Sequence, residues 1–223
     1  MADPVKPRTK SDETRARILQ AAQKMFHDRG FETTTMRDIA DKAGVATGAA
    51  YYYFDSKNAI VLAFYDQARK DMAPLLERAL NESRDLKERL HKLIDIKLEY
   101  FAPSRDLLRA LSGHTNPDHP LSPFSEQTRE IRDEDIQFFA RALEGSRTPG
   151  PEDLKQHLPR LLWMYQMGII LFWINDASKG QKKTQALLDQ SLDLVTRLIW
   201  LAGLPLTRPI RKKVIQLMDT VMA

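Results

Sequence analysis

Residues 34–57 read TTMRDIADKAGVATGAAYYYFDSK. Thr35 suits a helix N-cap, and Asp38 three positions on can bond back to it, close to a capping box. Ile39, Ala40 and Ala43 supply the buried side of a short helix. Gly44 then permits a left-handed residue and a sharp turn, with Val45 to plug the corner. A second short helix is predicted from about Thr47 to Phe54. Upstream, Ile18, Leu19, Ala22, Met25 and Phe26 recur at the spacing of one helix face within Asp12 to Arg29. Gly30 and Phe31 suit the end of that helix. One longer helix bracing two short ones across a glycine turn is the helix-turn-helix arrangement.

The three tyrosines can then be placed. At about 100° per residue, Thr47, Gly48, Tyr51 and Tyr52 fall on one face of the second short helix. Ala46, Ala49, Ala50 and Tyr53 fall on the opposite face, where the alanines allow close packing and Tyr53 suits the core. The outward face offers a hydroxyl, a bare backbone and two phenols. Phenols donate to phosphates, and threonine reaches base edges or thymine methyls. Gly48 costs about 0.5–1 kcal/mol of helix stability relative to alanine, and it allows a partner to approach the backbone. Asp55 or Ser56 caps the next helix, with Lys57 in its first turn. A cation there opposes the helix dipole, and it makes sense where a phosphate docks on that terminus.

The chain has 223 residues, 43% hydrophobic and 29% charged, enough to bury a sizeable core. Its net charge of +4 permits a nucleic-acid partner without requiring one. The absence of cysteine excludes disulfides, cysteine–zinc sites and a cysteine nucleophile. No nucleophile has a base at useful spacing, and no glycine-rich phosphate loop occurs, so neither an enzyme nor a cofactor is expected. Residues 1–11 read as a flexible basic arm rather than a signal peptide. The most apolar stretch, Trp163 to Ile174, falls short of the roughly 20 residues a bilayer span needs. It reads as a buried helix, with no membrane partner.

The stretch that opens TRARILQAAQKMF and ends at Leu62 resembles the DNA-binding domain of the tetracycline-repressor (TetR) family of bacterial regulators. The resemblance rests on the run of helix, glycine, TTM-RDIA, AGV, Y-x-x-F and SK in register. It implies an all-α chain: a three-helix helix-turn-helix DNA-binding domain over 12–57, and a helical ligand-binding and dimerisation domain over 58–223. It also implies a cytoplasmic bacterial homodimer on double-stranded DNA with a palindromic operator, usually released by a small-molecule effector. Carried over by position, Thr35 and Lys57 hold phosphates, as does Tyr51 or Tyr53. Thr47, Gly48 and Tyr52 approach bases, and Arg37 reaches a guanine. Two positions depart from the family pattern. Ala46 stands where a polar cap is usual, and Ala50 where a larger aliphatic residue is usual.

The rest of the chain reads as helical, with no alternating strand pattern. A long helix from Lys57 towards Asn81 is expected to kink or end near Pro74. Leu86 to Phe101 is amphipathic, with Leu90, Leu93, Ile94, Lys97, Leu98 and Phe101 recurring at three and four. A shorter helix runs from Pro103 through Leu111, and a proline-rich loop follows. His114, Asp118 and His119 in that loop invite a metal reading, but their spacing matches no helical ligand pair. Further helices are expected over Phe124 to Leu143, Leu154 to Ala177, Thr184 to Ala202 and Arg208 to Met222. The second of these is apolar all round and therefore central. Trp163, Tyr165, Gln166, Met167, Phe172 and Trp173, with Tyr100, are the candidate lining of a mostly apolar effector pocket. The third carries two apolar stripes where its own domain needs one. Leu187, Leu188, Ser191, Leu194, Val195, Leu198 and Leu201 are the candidate dimer contacts. Helices 154–177 and 184–202 would form a four-helix bundle across a two-fold axis. A helical protein-interaction adaptor with a degenerate head is the competing reading.

Overall fold

The computed structural model describes residues 9–222, and these form helices and turns only. The helices are α1 (Lys10–Arg29), α2 (Met36–Ala43), α3 (Thr47–Tyr53), α4 (Lys57–Glu82), α5 (Leu86–Phe101), α6 (Arg105–Leu111), α7 (Arg129–Glu144), α8 (Leu158–Asn175), α9 (Lys182–Ala202) and α10 (Arg208–Met222). Residues 1–8 of the expected basic arm lie outside the described residues. Thr9 caps α1, accepting from the Asp12 amide while the Asp12 carboxylate accepts from the Thr9 amide. That capping box starts the helix ahead of Asp12. Among the described residues no helix is long and apolar enough to cross a membrane.

Contacts divide the chain into two units. The first gathers the described residues up to 67 together with 104–128. This differs from a boundary at residue 57, because the start of α4 and the segment carrying α6 group with the head helices. Ile18, Ala22, Ile39, Ala40, Ala50, Ile60 and Val61 are wholly buried in it. Phe26 and Phe31 meet edge to face with ring centroids 5.2 Å apart. The expected helix from Phe124 does not begin until Arg129. Local hydroxyl bonds hold the intervening turns: Ser125 Oγ donates to the Pro120 carbonyl at 3.1 Å and Thr128 Oγ1 to the Ser122 carbonyl at 2.7 Å. Such side-chain bonds compete with helix continuation.

The second unit comprises residues 68–103 and 129 onward. In it α5 packs on α7, α8 and α9, α7 packs on α8, and α8 on α9. Leu90, Leu93, Ile94, Phe139, Leu188 and Leu192 fill its interior. Pro74 does not break α4. Both Pro74 and Lys70, whose carbonyl loses its helical donor, are exposed, so the missing bond falls on the outer side. Pro159 sits in the first turn of α8, where proline is tolerated, so the helix expected from Leu154 begins at Leu158. Arg211 anchors α10, its Nε 2.9 Å from the Asp153 carboxylate and its Nη1 bonded to the Ala202 carbonyl.

Asp176 organises the entry to α9. Its carboxylate accepts from the Thr184 amide at 2.9 Å, the Thr184 hydroxyl at 2.8 Å and the Ser178 amide at 2.9 Å. Burial opposes its ionisation, but these bonds outweigh burial and hold the carboxyl well below the usual range. A depressed folded-state pKa gives stability that is present above the unfolded value of about 3.9 and is lost as pH falls below it. The expected result is an Asp176→Asn melting deficit that is full at neutral pH and shrinks as the pH is lowered through about 4 towards 3.

Candidate nucleic-acid interface and effector core

The head is built from capped, tightly joined helices. Thr35 and Asp38 form the expected capping box at α2: the Asp38 amide donates to Thr35 Oγ1 at 3.2 Å, and the Thr35 amide donates to the Asp38 carboxylate at 2.9 Å. The Thr35 hydroxyl, with its backbone amide, keeps the Asp38 carboxyl below its ordinary range. Gly44 ends α2 in the left-handed region at φ +66°, where a side chain would be strained. Its amide bonds the Asp41 carbonyl at 3.2 Å, and the Val45 amide bonds the Ala40 carbonyl at 3.0 Å.

This geometry sets the outward face of α3. Ala50 is wholly buried, and Phe54 lies beneath the Arg15 guanidinium, 4.8 Å from its ring centre. Tyr51 is 52% exposed and Tyr52 82% exposed, with Gly48 exposed and Thr47 half-buried beside them. Arg37 on α2 is exposed as well. Tyr53 is half-buried, not core. Its hydroxyl lies 3.2 Å from Ser11 Oγ, and its ring meets Tyr52 edge to face at 5.2 Å. Of the three alanines expected to face inward, only Ala50 is fully buried; Ala49 is half-buried and Ala46 exposed. Ala46 occupies the N-cap of α3 and supplies no side-chain bond. A β-carbon added at Gly48 would meet nothing within 4 Å, so the fold itself does not require glycine there.

Lys57 also makes contacts within the head. Its ammonium donates to the carbonyls of Phe31 at 2.7 Å and Glu32 at 3.3 Å, and lies 4.5 Å from the centre of the Phe31 ring. It therefore ties the start of α4 to the turn after α1, and at most one of its three protons remains for a phosphate.

The candidate effector residues do not gather in one place. Trp163, Gln166 and Trp173 are buried on one side of α8. Met167 is half-buried. Tyr165 is half-buried with its hydroxyl 2.6 Å from Ser191 Oγ on α9, and Tyr100 on α5 donates to the Asp71 carboxylate at 2.7 Å. Phe172 is 41% exposed, with Leu161, Met164 and Leu171 exposed alongside it. At about 100° per residue these four share one side of α8, and the exposed Gly168 lies among them. The all-round apolar character of the segment hid this stripe in the sequence.

Leu187, Leu194, Leu198 and Leu201 form the exposed seam of α9. Ser191 and Val195 are half-buried beside it. Leu188, expected at the interface, is instead wholly buried within its own unit, where Leu192 and Ile199 continue the inner stripe. Sequence reasoning also missed a buried polar cluster. Lys97 on α5 bonds Asp135 on α7, and its Nζ lies 2.5 Å from Gln166 Oε1 on α8. Gln166 Nε2 donates to the Asp135 carboxylate at 2.8 Å, closing the triangle. Lys97 had registered only as one member of a helical repeat.

Two stretches of the chain match known families. Residues 18–64 match the family described as bacterial regulatory proteins, tetR family, and residues 89–214 match the tetracyclin repressor-like C-terminal domain. The chain belongs to the TetR family of bacterial regulatory proteins. Among curated relatives, the HTH-type transcriptional regulator TtgR of Pseudomonas putida is 48% identical over 61 residues. That alignment covers 26% of this chain and 29% of TtgR, less than a third of the relative's length. Among solved structures, Thermus thermophilus FadR, a TetR-family repressor in complex with lauroyl-CoA, superposes with a TM-score of 0.62 at 26% identity. It covers 85% of this chain and 95% of that one. The fatty acid degradation regulator FadR of Bacillus halodurans shares the fold, with a TM-score of 0.66 at 16% identity over 86% of this chain and 97% of that one.

Proposed function

We propose that the protein is a ligand-responsive transcriptional regulator, a homodimer whose two heads read a palindromic operator and release it when a small apolar or amphipathic molecule binds. The observation that carries this reading is the contrast across α3: Ala50 is wholly buried while Tyr51, Tyr52 and Gly48 are presented outward. Exposed phenols beside a bare backbone match phosphate and base-edge contacts. Thr35, Arg37, Thr47 and Lys57 complete the DNA-facing set, with Lys57 positioning α4 as well as reaching a phosphate. The lauroyl-CoA held by the Thermus thermophilus relative supports an amphipathic effector, and DNA as the partner supports a cytoplasmic site of action.

The seams of α8 and α9 support the dimer. Leu161, Met164, Leu171 and Phe172 with Leu187, Leu194, Leu198 and Leu201 make two adjacent apolar stripes left uncovered within one chain. Pairing them about a two-fold axis gives a four-helix bundle. Phe172 then belongs to the interface, not to the effector site.

Gly48 supplies the test of the DNA-reading face. Gly48→Ala is expected to raise the thermal stability of the head by about 0.5–1 kcal/mol, since the fold has room for the methyl group. The same change is expected to weaken binding to duplexes the wild-type protein selects, because the methyl group holds the partner backbone away. A variant that is stabilised and binds DNA unchanged would remove Gly48 from the interface; a variant and a wild type that both ignore duplex DNA would favour the adaptor reading.

A further inference from the structure

A buried ion pair joins helices of the second unit: Lys97 on α5 with Asp135 on α7, closed by Gln166 on α8. The Lys97 side chain is 5% exposed and that of Asp135 19% exposed. The ammonium also lies 4.9 Å from the centre of the Phe139 ring. Burial pushes the Lys97 ammonium below the usual lysine range, and Asp135 opposes that shift. The helices that carry the triangle are otherwise packed with Leu93, Ile94, Leu162 and Trp163. A buried pair of this kind is commonly no more stabilising than apolar side chains of the same volume. Its presence in the core of the effector unit therefore points to recognition.

We propose that the effector is an amphipathic monocarboxylate whose carboxylate takes the place of Asp135 on Lys97; this rests on the ligand-responsive reading above. The exchange keeps Lys97 paired throughout, and Asp135, the more exposed partner, is released towards water. A cationic ligand would have to displace Lys97, which is almost wholly buried and lies over an aromatic ring. A dianion would leave one charge uncompensated beside a single ammonium, at a large cost in a dry interior. A neutral ligand offers nothing to replace the Asp135 carboxylate.

The exchange also has a route outward. Asp135 is carried by α7, which is tied to α4 by Arg69 with Glu134 and Glu130 and by Arg141 with Glu77. Freeing α7 from Lys97 and Gln166 therefore shifts the helix to which α4 is bound, and α4 is the helix that begins at Lys57.

The test is calorimetric titration of the full-length protein, without DNA, using dodecanoate, dodecanol, dodecyl phosphate and dodecyltrimethylammonium below their micelle-forming concentrations. Dodecanoate is expected to bind about tenfold or more tightly than dodecanol, the size of a charge-assisted hydrogen bond, and more tightly than the phosphate or the cation. Lys97→Met is expected to abolish the preference for dodecanoate over dodecanol. Asp135→Asn is expected to increase it, because the competing carboxylate is gone; this second variant keeps the test decisive if Lys97→Met fails to fold. Equal binding of dodecanoate and dodecanol, a preference for the cation or the phosphate, a preference that survives Lys97→Met, or no dodecanoate binding by either wild type or Asp135→Asn would each overturn the proposal. Since no DNA is present, these outcomes are separate from whether the heads read an operator.

Discussion

Leu194→Asp is expected to convert the proposed dimer to a monomer and, with it, to remove the proposed operator binding. Leu194 is 58% exposed in the single chain and lies mid-seam on α9, between Leu187 and Leu201. A two-fold axis counts the substitution twice, bringing two carboxylates into an apolar bundle with no partner for either. The folding of each chain is little affected, because the inner stripe of Leu188, Leu192 and Ile199 remains in place. A monomer reads one half-site. Specific DNA binding typically exceeds non-specific binding by about 10³–10⁷, and losing half the contacts forfeits about thirtyfold or more of it. Sedimentation equilibrium with a parallel DNA titration checks both consequences. A variant that stays dimeric would take Leu194 out of the interface.

Tyr52→Ala is expected to have the second largest effect, on sequence preference more than on fold. At 82% exposure the ring contributes little to packing beyond its edge contact with Tyr53. A good base contact discriminates by about 1–3 kcal/mol. Two heads double that to about 2–6 kcal/mol, or roughly thirty-fold to twenty-thousand-fold. The loss is expected to fall on particular operator positions, with the salt dependence of binding nearly unchanged, because a phenol carries no cation to exchange for counterions. A loss spread evenly over all sequences would assign Tyr52 to the phosphates instead.

What could be read from the sequence was what local rules encode. The capping pair Thr35–Asp38, the left-handed Gly44 and the 3.6-residue spacing of Ile39, Ala40 and Ala43 each depend on near neighbours, and each lies where the pattern placed it. Helix ends set by other causes moved. The Ser125 and Thr128 hydroxyls delayed α7, and the helix expected from Leu154 begins only at Leu158, with Pro159 in its first turn. Contacts between distant segments could not be read at all. The tie from Lys57 to the Phe31 and Glu32 carbonyls was hidden because those partners lie far back in the chain. Lys97 looked like one more position in a helical repeat because Asp135 and Gln166 are on other helices. Leu188 and Leu194 have the same residue type and both lie on α9, yet one is core and the other seam. Only the placement of α5 and α8 decides between them.

The central claim is that two copies of the α3 face read DNA together, and selection of bound duplexes from a random pool by the purified full-length protein at moderate salt tests it most directly. The expected result is an enriched palindrome whose half-sites lie about one helical turn apart, near 34–36 Å. Recovery of no common sequence, with binding that disappears uniformly as salt rises, would contradict it.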